Sequence, residues 1–210
     1  MQIQENFSLK QFNTFGIDVS ASHFAMFSDQ EELVALIEMA KKKELFILGG
    51  GSNILFTKDF NGWVIKNNIK GIQLLKEDNH YVYVKAGAGE NWHWFVQYCI
   101  QKDWAGLENL SLIPGNVGAS PMQNIGAYGV EMKEYFYELE AFHLKEKKVN
   151  FFSVNDCEFG YRESIFKKKW KNQFVILSVT FRLNKVPIFN TSYGAVVQEL
   201  ESMGVKKLSI

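Results

Sequence analysis

Residues 114–129 read Pro114-Gly-Asn-Val-Gly-Ala-Ser-Pro121-Met-Gln-Asn-Ile-Gly-Ala-Tyr-Gly129. Four glycines and two of the chain's three prolines fall within these sixteen residues, and none of the sixteen is charged, so a solvated linker is a poor description. Glycine lets a backbone amide approach a ligand closely, and proline fixes the bends between such amides. A loop of this kind suits the wrapping of an anion by N–H groups. An ordinary ordered surface loop satisfies the same residues.

Upstream, the apolar run Leu45-Phe-Ile-Leu48 reads as a buried strand that enters Gly49-Gly-Gly-Ser-Asn53 directly. This is not a P-loop, because no Gly-Lys-Ser/Thr follows, and Ile54 stands where a dinucleotide fingerprint needs its third glycine. Taken alone the loop is a weak signal. Two amide-rich loops about sixty residues apart are stronger, because a long diphosphate ligand needs backbone donors from more than one direction.

The rest of the chain predicts alternating strands and helices. His23–Phe27 reads as a strand, and Ser28-Asp-Gln-Glu31 as a capping box that opens a helix carrying Leu33, Leu36, Ile37 and Ala40 on one face. Trp63–Lys66 is a strand, and Ile72–Leu75 with Tyr81–Val84 a hairpin turned at Glu77–Asn79. Trp92, Phe95, Val96 and Cys99 recur at helical spacing as a core stripe, with His93 off the stripe on the surface. Tyr135–Leu144 and Val149–Ser153 are paired strands, Phe174–Leu183 a mid-sheet strand, and Tyr193–Met203 a helix.

Composition narrows the function. With 210 residues, 47% of them hydrophobic, the chain can bury the core of one domain or two small lobes. The 23 basic residues balance 23 acidic ones, which disfavours a nucleic-acid partner. Cys99 and Cys157 form no CxxC pair, and the four histidines share no ligand spacing, so the reading is reduced thiols, no metal and a cytoplasmic location. No apolar run is long enough to span a membrane, and no signal peptide is expected.

Several motifs, in order, carry a resemblance: Asn13-Thr-Phe-Gly16, Leu48–Leu55, Gly87-Ala-Gly-Glu-Asn-Trp92, Gly106-Leu-Glu-Asn-Leu110, Ile113-Pro-Gly through Gly129, and Phe159-Gly-Tyr-Arg-Glu-Ser-Ile-Phe166. Together they resemble the UDP-N-acetylenolpyruvoylglucosamine reductase family from about Asn13 to Tyr193. The resemblance implies an α+β, two-lobed FAD-binding fold of the vanillyl-alcohol-oxidase (PCMH) type. It divides the chain into a small N-terminal lobe (1–70), a larger lobe (71–186) and the start of a substrate-binding domain (187–210). It also implies a two-step reaction in which NADPH reduces FAD and the flavin passes hydride to the enolpyruvyl group of a UDP-sugar, in peptidoglycan synthesis.

By the same resemblance, FAD lies among Gly49, Gly50, Gly51, Ser52 and Asn53 of the first loop. The second loop contributes Ile113, Pro114, Gly115, Gly118, Ala119, Ser120, Gln123, Asn124, Ile125, Gly126, Tyr128 and Gly129. No histidine stands at the first loop, so the flavin is expected to be non-covalent. Arg162 matches the active-site arginine, whose fixed guanidinium suits the negative charge left by hydride addition; a salt bridge to Glu163 is the structural alternative. Tyr193 matches a substrate-contacting tyrosine, with a core or helix-capping tyrosine as the alternative, and Tyr161 either touches substrate or packs beneath the arginine.

The family's catalytic serine, in a Gly-Ser-Phe-Phe-like motif, and its late catalytic glutamate have no counterpart here. The expectation is a truncated reductase that binds FAD without useful turnover; the oligomeric state is left open, with self-association through a surface that the missing domain would uncover as one outcome. Another flavin oxidoreductase of the same fold, or a non-catalytic nucleotide-diphosphate-binding module, are the alternative readings.

Overall fold

A computed structural model describes residues 1–41 and 43–210. In chain order the elements are β1 (Ile3–Ser8), β2 (Ser20–Phe27), α1 (Gln30–Met39), β3 (Glu44–Leu48), β4 (Phe60–Asn67), β5 (Ile72–Glu77), β6 (Tyr81–Gly87) and α2 (Trp92–Gln101). There follow the short hairpin strands β7 (Gly126–Ala127) and β8 (Val130–Glu131), then β9 (Phe136–His143), β10 (Lys148–Ser153), α3 (Val154–Cys157), β11 (Phe174–Asn184) and α4 (Val196–Ser202).

The strands form two main sheets. The first has the order β1-β2-β4-β3, with β4 parallel to both its neighbours and β1 antiparallel to β2. The second, β10-β9-β11-β6-β5, is antiparallel throughout and has the apolar β11 at its centre, as the sequence predicts. A strand bonded on both edges and covered on both faces must be continuously apolar, which explains its composition.

Three apolar clusters hold these layers. Leu9, Phe24, Leu48 and Val64 pack one face of the first sheet. On its other face Phe27, Leu33, Leu36 and Ile65 meet Phe142, Val175 and Leu177, so this cluster joins the two sheets. The third covers the second sheet with α2, where Trp92, Phe95, Val96 and Cys99 are all buried. Asn67 adds a polar tie between sheets: its side-chain amide donates to the Ile176 carbonyl (2.9 Å) and its Oδ1 accepts from the Ile69 amide (3.1 Å).

The structure revises several local expectations. The N-cap of α1 is Asp29, not Ser28: its carboxylate accepts from the Glu32 amide (2.8 Å), and Glu32 reaches back to the Ser28 amide (2.8 Å). The expected box with Ser28 as N-cap and Glu31 as its partner does not form, because the Asp29 carboxylate takes the capping position instead. β3 is an edge strand, mostly half-buried, with only Leu48 fully covered. α4 begins at Val196, because Tyr193 lies in a bend and Gly194–Ala195 in a turn, with Gly194 at positive φ. His93 is half-buried, its Nδ1 lying 2.9 Å from Ser111 Oγ and accepting from the Leu112 amide (3.3 Å).

Candidate cofactor site

The first glycine loop starts where β3 ends and runs back to open the parallel strand β4, so it lies at the carboxyl end of the parallel strands. In α/β sheets that end is where ligands bind. The turn at Asn13–Gly16 supports the loop from below: the Thr14 amide donates to the Gly51 carbonyl (3.1 Å), while Asn13 ties its own turn through the Leu9 and Ile17 carbonyls (2.8 and 3.0 Å). Gly51 has φ +69, and a Cβ there would collide with the Phe12 carbonyl, so no other residue fits. Lys66 donates to the Gly49 carbonyl (3.0 Å), and its burial, with Lys70 nearby, holds its pKa below the ordinary lysine range.

These contacts use the loop's carbonyls and leave its donors. Among the described residues, the amides of Gly49, Gly50, Gly51, Ser52 and Asn53 donate no hydrogen bond within the protein. Buried amides are almost always paired, and Gly51 is buried. A run of successive free donors at a strand end is the kind of segment that binds an anion.

The second loop is built differently. It is strapped onto Gly87–Trp92: Val117 donates to the Glu90 carbonyl (2.8 Å), Gly118 to Ala88 (2.9 Å), and Trp92 to Gly115 (3.0 Å). Its amides at Val117, Gly118, Ala119, Ser120, Met122, Asn124 and Ile125 are spent on protein carbonyls. The side chains of Ser120 and Asn124, both buried, are also engaged, with the Val117 carbonyl (2.8 Å) and the Gly160 carbonyl (3.0 Å). The second loop thus spends most of its amides on its own framework, while those of Gly115, Asn116 and Gln123 donate to no protein acceptor among the described residues.

The two loops meet at Gly50, where a Cβ would stand 2.9 Å from both the Gly115 Cα and the Asn116 Oδ1. Beside this contact lies a pocket of about 240 Å³ lined by Ser52, Asn53, Pro114, Ala119, Ser120, Gln123 and Ile125, together with Trp92, Asn116, Met122 and Lys167. A larger cavity of about 530 Å³ extends between the sheets, from Gly49 and Gly118 past Asn67 and β3 to Phe166, Trp170 and Phe174. The two cavities share Asn116, Ala119 and Met122 in their walls, and both are mainly apolar with a few polar side chains, as suits a ligand with an extended aromatic part. These residues fit FAD.

Arg162 stands at a turn against the second loop. Its guanidinium donates to the Gly126 carbonyl (2.7 Å), while Ser164 donates to Met122 (2.7 Å). The salt bridge to Glu163 does not form: Glu163 lies 2.8 Å from Lys168 and 3.5 Å from Lys167, and among the described residues Arg162 has no carboxylate partner. Tyr161 is 83% exposed, so it does not pack beneath the arginine.

Tyr128 and Tyr193 form a separate aromatic pair, ring to ring at 6.2 Å and nearly perpendicular. One amide places both: Asn109 Nδ2 donates to the Tyr128 carbonyl (3.0 Å) and to the Asn190 carbonyl (2.8 Å), while Asn190 donates to Gly129 (3.0 Å). Ile113 packs on the core of the second sheet. Sequence reasoning did not single out Asn67, Asn109, Asn116, Lys66 or Lys167. Asn109 sits within the Gly106–Leu110 motif and Asn116 within the Ile113–Gly129 motif; Asn67, Lys66 and Lys167 carry no local signal. No cluster of three or more potential metal ligands occurs among the described residues, and no helix among them is long and apolar enough to cross a membrane.

Comparison with known proteins agrees with this geometry. Residues 21–143 match the family described as FAD binding domain. The chain is 51% identical over 212 residues to UDP-N-acetylenolpyruvoylglucosamine reductase of Amoebophilus asiaticus, covering 100% of this chain and 62% of that protein. The crystal structure of UDP-N-acetylenolpyruvylglucosamine reductase from Thermus caldophilus superposes with a TM-score of 0.67 at 24% identity, over 97% of this chain and 67% of that one. Cholesterol oxidase from Brevibacterium sterolicum does so with 0.62 at 15% identity, over 87% and 38%. The fold is thus the two-lobed α+β type expected from the motifs. With a cofactor cleft between two sheets and a family match over most of that cleft, the chain belongs to the FAD binding domain family, and it corresponds to about 62% of the length of the UDP-N-acetylenolpyruvoylglucosamine reductase it matches.

Proposed function

We propose that this chain holds a non-covalent FAD between its two sheets and is the flavin-carrying part of an NADPH-dependent reductase. The substrate is UDP-N-acetylglucosamine enolpyruvate, the product UDP-N-acetylmuramate, and the setting cytoplasmic peptidoglycan synthesis. The observation that carries the reading is the run of free amides from Gly49 to Asn53, set against the second loop at Gly50 and Gly115. The names of the relatives supply the substrate.

When bound, FAD would carry hydride from NADPH to the enolpyruvyl double bond. The chain's own residues hold and orient. The first-loop amides meet the diphosphate charge; Ser52, Asn53 and Gln123 present polar side chains along the pocket, and Pro114, Ala119 and Ile125 its apolar wall. Asn53 offers no nucleophilic ring nitrogen for a covalent flavin link.

Arg162, exposed and without a carboxylate partner among the described residues, is available to the substrate carboxylate and to the charge that develops beside it. Tyr193 and Tyr161, both exposed, are the substrate-facing aromatics. On this reading residues 1–70 and 71–186 are the two flavin-holding lobes, and 187–210 lead towards the substrate-binding part. The 210 residues contain no Gly-Ser-Phe-Phe-like motif, so by themselves they bind flavin without completing the reaction.

The test is a titration of the purified chain with FAD, followed by visible absorption. Saturable perturbation of the flavin bands is expected. A folded chain that leaves the spectrum of free FAD unchanged defeats the reading.

A further inference from the structure

The corner that carries Arg162 is held in an unfavourable backbone conformation. Gly160 and Glu163 exchange two backbone hydrogen bonds (3.1 and 3.3 Å), which leaves Tyr161 and Arg162 to make the turn. Arg162 does so with φ +54, in the left-handed region that favours glycine. Such a conformation persists only where the surroundings enforce it, and it is found where a side chain must be aimed.

Neighbouring side chains hold the flanks of this turn. Asn124 donates to the Gly160 carbonyl (3.0 Å) on one side, and Ser164 to the Met122 carbonyl (2.7 Å) on the other. At the corner itself, Lys167 Nζ donates to the carbonyl of Arg162 (2.8 Å). Lys167 is not required as the counter-ion of Glu163, since Lys168 is the nearer partner, at 2.8 Å against 3.5 Å. It also lines the 240 Å³ pocket together with Ser52, Asn53 and Gln123. Its ammonium therefore stands between the candidate cofactor pocket and the backbone of the arginine.

We propose that Lys167 is a positioning residue for Arg162: by fixing the carbonyl of the strained corner, it holds the guanidinium on the Gly126 carbonyl, next in sequence to the pocket-lining Ile125, where a substrate carboxylate would meet it. The inference rests on the reading of Arg162 given above. A hydrogen bond from a charged donor also stiffens the turn without adding a direct substrate contact.

The test uses an FAD-loaded enzyme that contains this chain and follows UDP-N-acetylglucosamine enolpyruvate binding through the change it causes in the flavin spectrum. Lys167→Met should weaken binding about tenfold, within the range for loss of a charged hydrogen bond, and Lys167→Arg should restore it to within about threefold of the parent. Arg162→Gln should weaken binding at least as much, and the double variant should be no weaker than Arg162→Gln alone, because the lysine acts through the arginine.

Trypsin cleavage after Arg162, measured without ligand, should accelerate in Lys167→Met. Additive losses in the double variant, or an unchanged affinity in Lys167→Met, overturn the inference while the reading of Arg162 stands. A parent enzyme that binds FAD but not the UDP-sugar removes both.

Discussion

Gly50 of the first loop and Gly115 of the second are in backbone contact, so close that a Cβ on Gly50 would lie 2.9 Å from the Gly115 Cα. Neither loop can shift there without moving the other. Gly50→Ala should push the loops apart and weaken FAD binding about tenfold, a change of about 1.4 kcal/mol. Gly50 is exposed, so the urea midpoint should hardly move. Unchanged flavin affinity would separate this contact from the site.

Arg162 should matter for chemistry more than for cofactor retention. In an enzyme that contains this chain, Arg162→Gln should lower kcat about 10²–10³-fold and leave the FAD titration as in the parent. A loss of flavin from the variant would instead make Arg162 part of the cofactor cradle.

Asn67 joins the two sheets through the Ile176 carbonyl and is buried, so Asn67→Ala leaves that carbonyl and the Ile69 amide without a side-chain partner. The expected cost is about 1–3 kcal/mol in urea unfolding. A loss well below that range would show that water replaces the amide in the cavity it lines.

Burial pushes the Cys157 thiol up to about 12, with Asp156 adding to the effect, and raises Cys99 further in the same direction. Both should remain protonated and inert to an aromatic disulfide reagent in the folded chain near neutral pH, and both should react once urea unfolds it. Rapid labelling of the native protein would contradict the buried placement.

Asp78 closes the β5–β6 hairpin by accepting from the amides of His80 and Tyr81, each at 2.8 Å, and these bonds hold its carboxyl below the ordinary aspartate value. A depressed folded-state pKa contributes stability above the unfolded value, and that contribution is lost as pH falls through the folded one. Asp78→Asn should therefore lower the Tm near pH 7 and make little difference near pH 2. An equal effect at both would assign it to turn geometry alone.

Much of the fold was legible along the chain. β11 announced its central position by unbroken apolarity, and α2 showed its buried stripe at Trp92, Phe95, Val96 and Cys99. β1 was not legible: in Ile3–Ser8 only Gln4 and Phe7 are even half-buried, and it exists because β2 offers a free edge. β3 read as buried because four apolar residues follow one another, yet it is an edge strand bordering the cleft between the sheets. An apolar run reports what a segment prefers, while its place in a sheet depends on pairings that lie far away in sequence.

The same division runs through the site. From sequence alone came the two glycine loops and the Phe159–Phe166 motif, because turn chemistry and ordered motifs are local properties that survive in one dimension; the flavin came only through the family resemblance that those motifs carry. Tertiary structure decided which loop amides stay free, that Arg162 bonds the Gly126 carbonyl rather than Glu163, and that Lys66, Asn67, Asn109 and Lys167 belong to the site's support. Each of those outcomes is a choice between hydrogen-bond partners, and a donor's partner is set by whatever the packed sheets bring within about 3 Å.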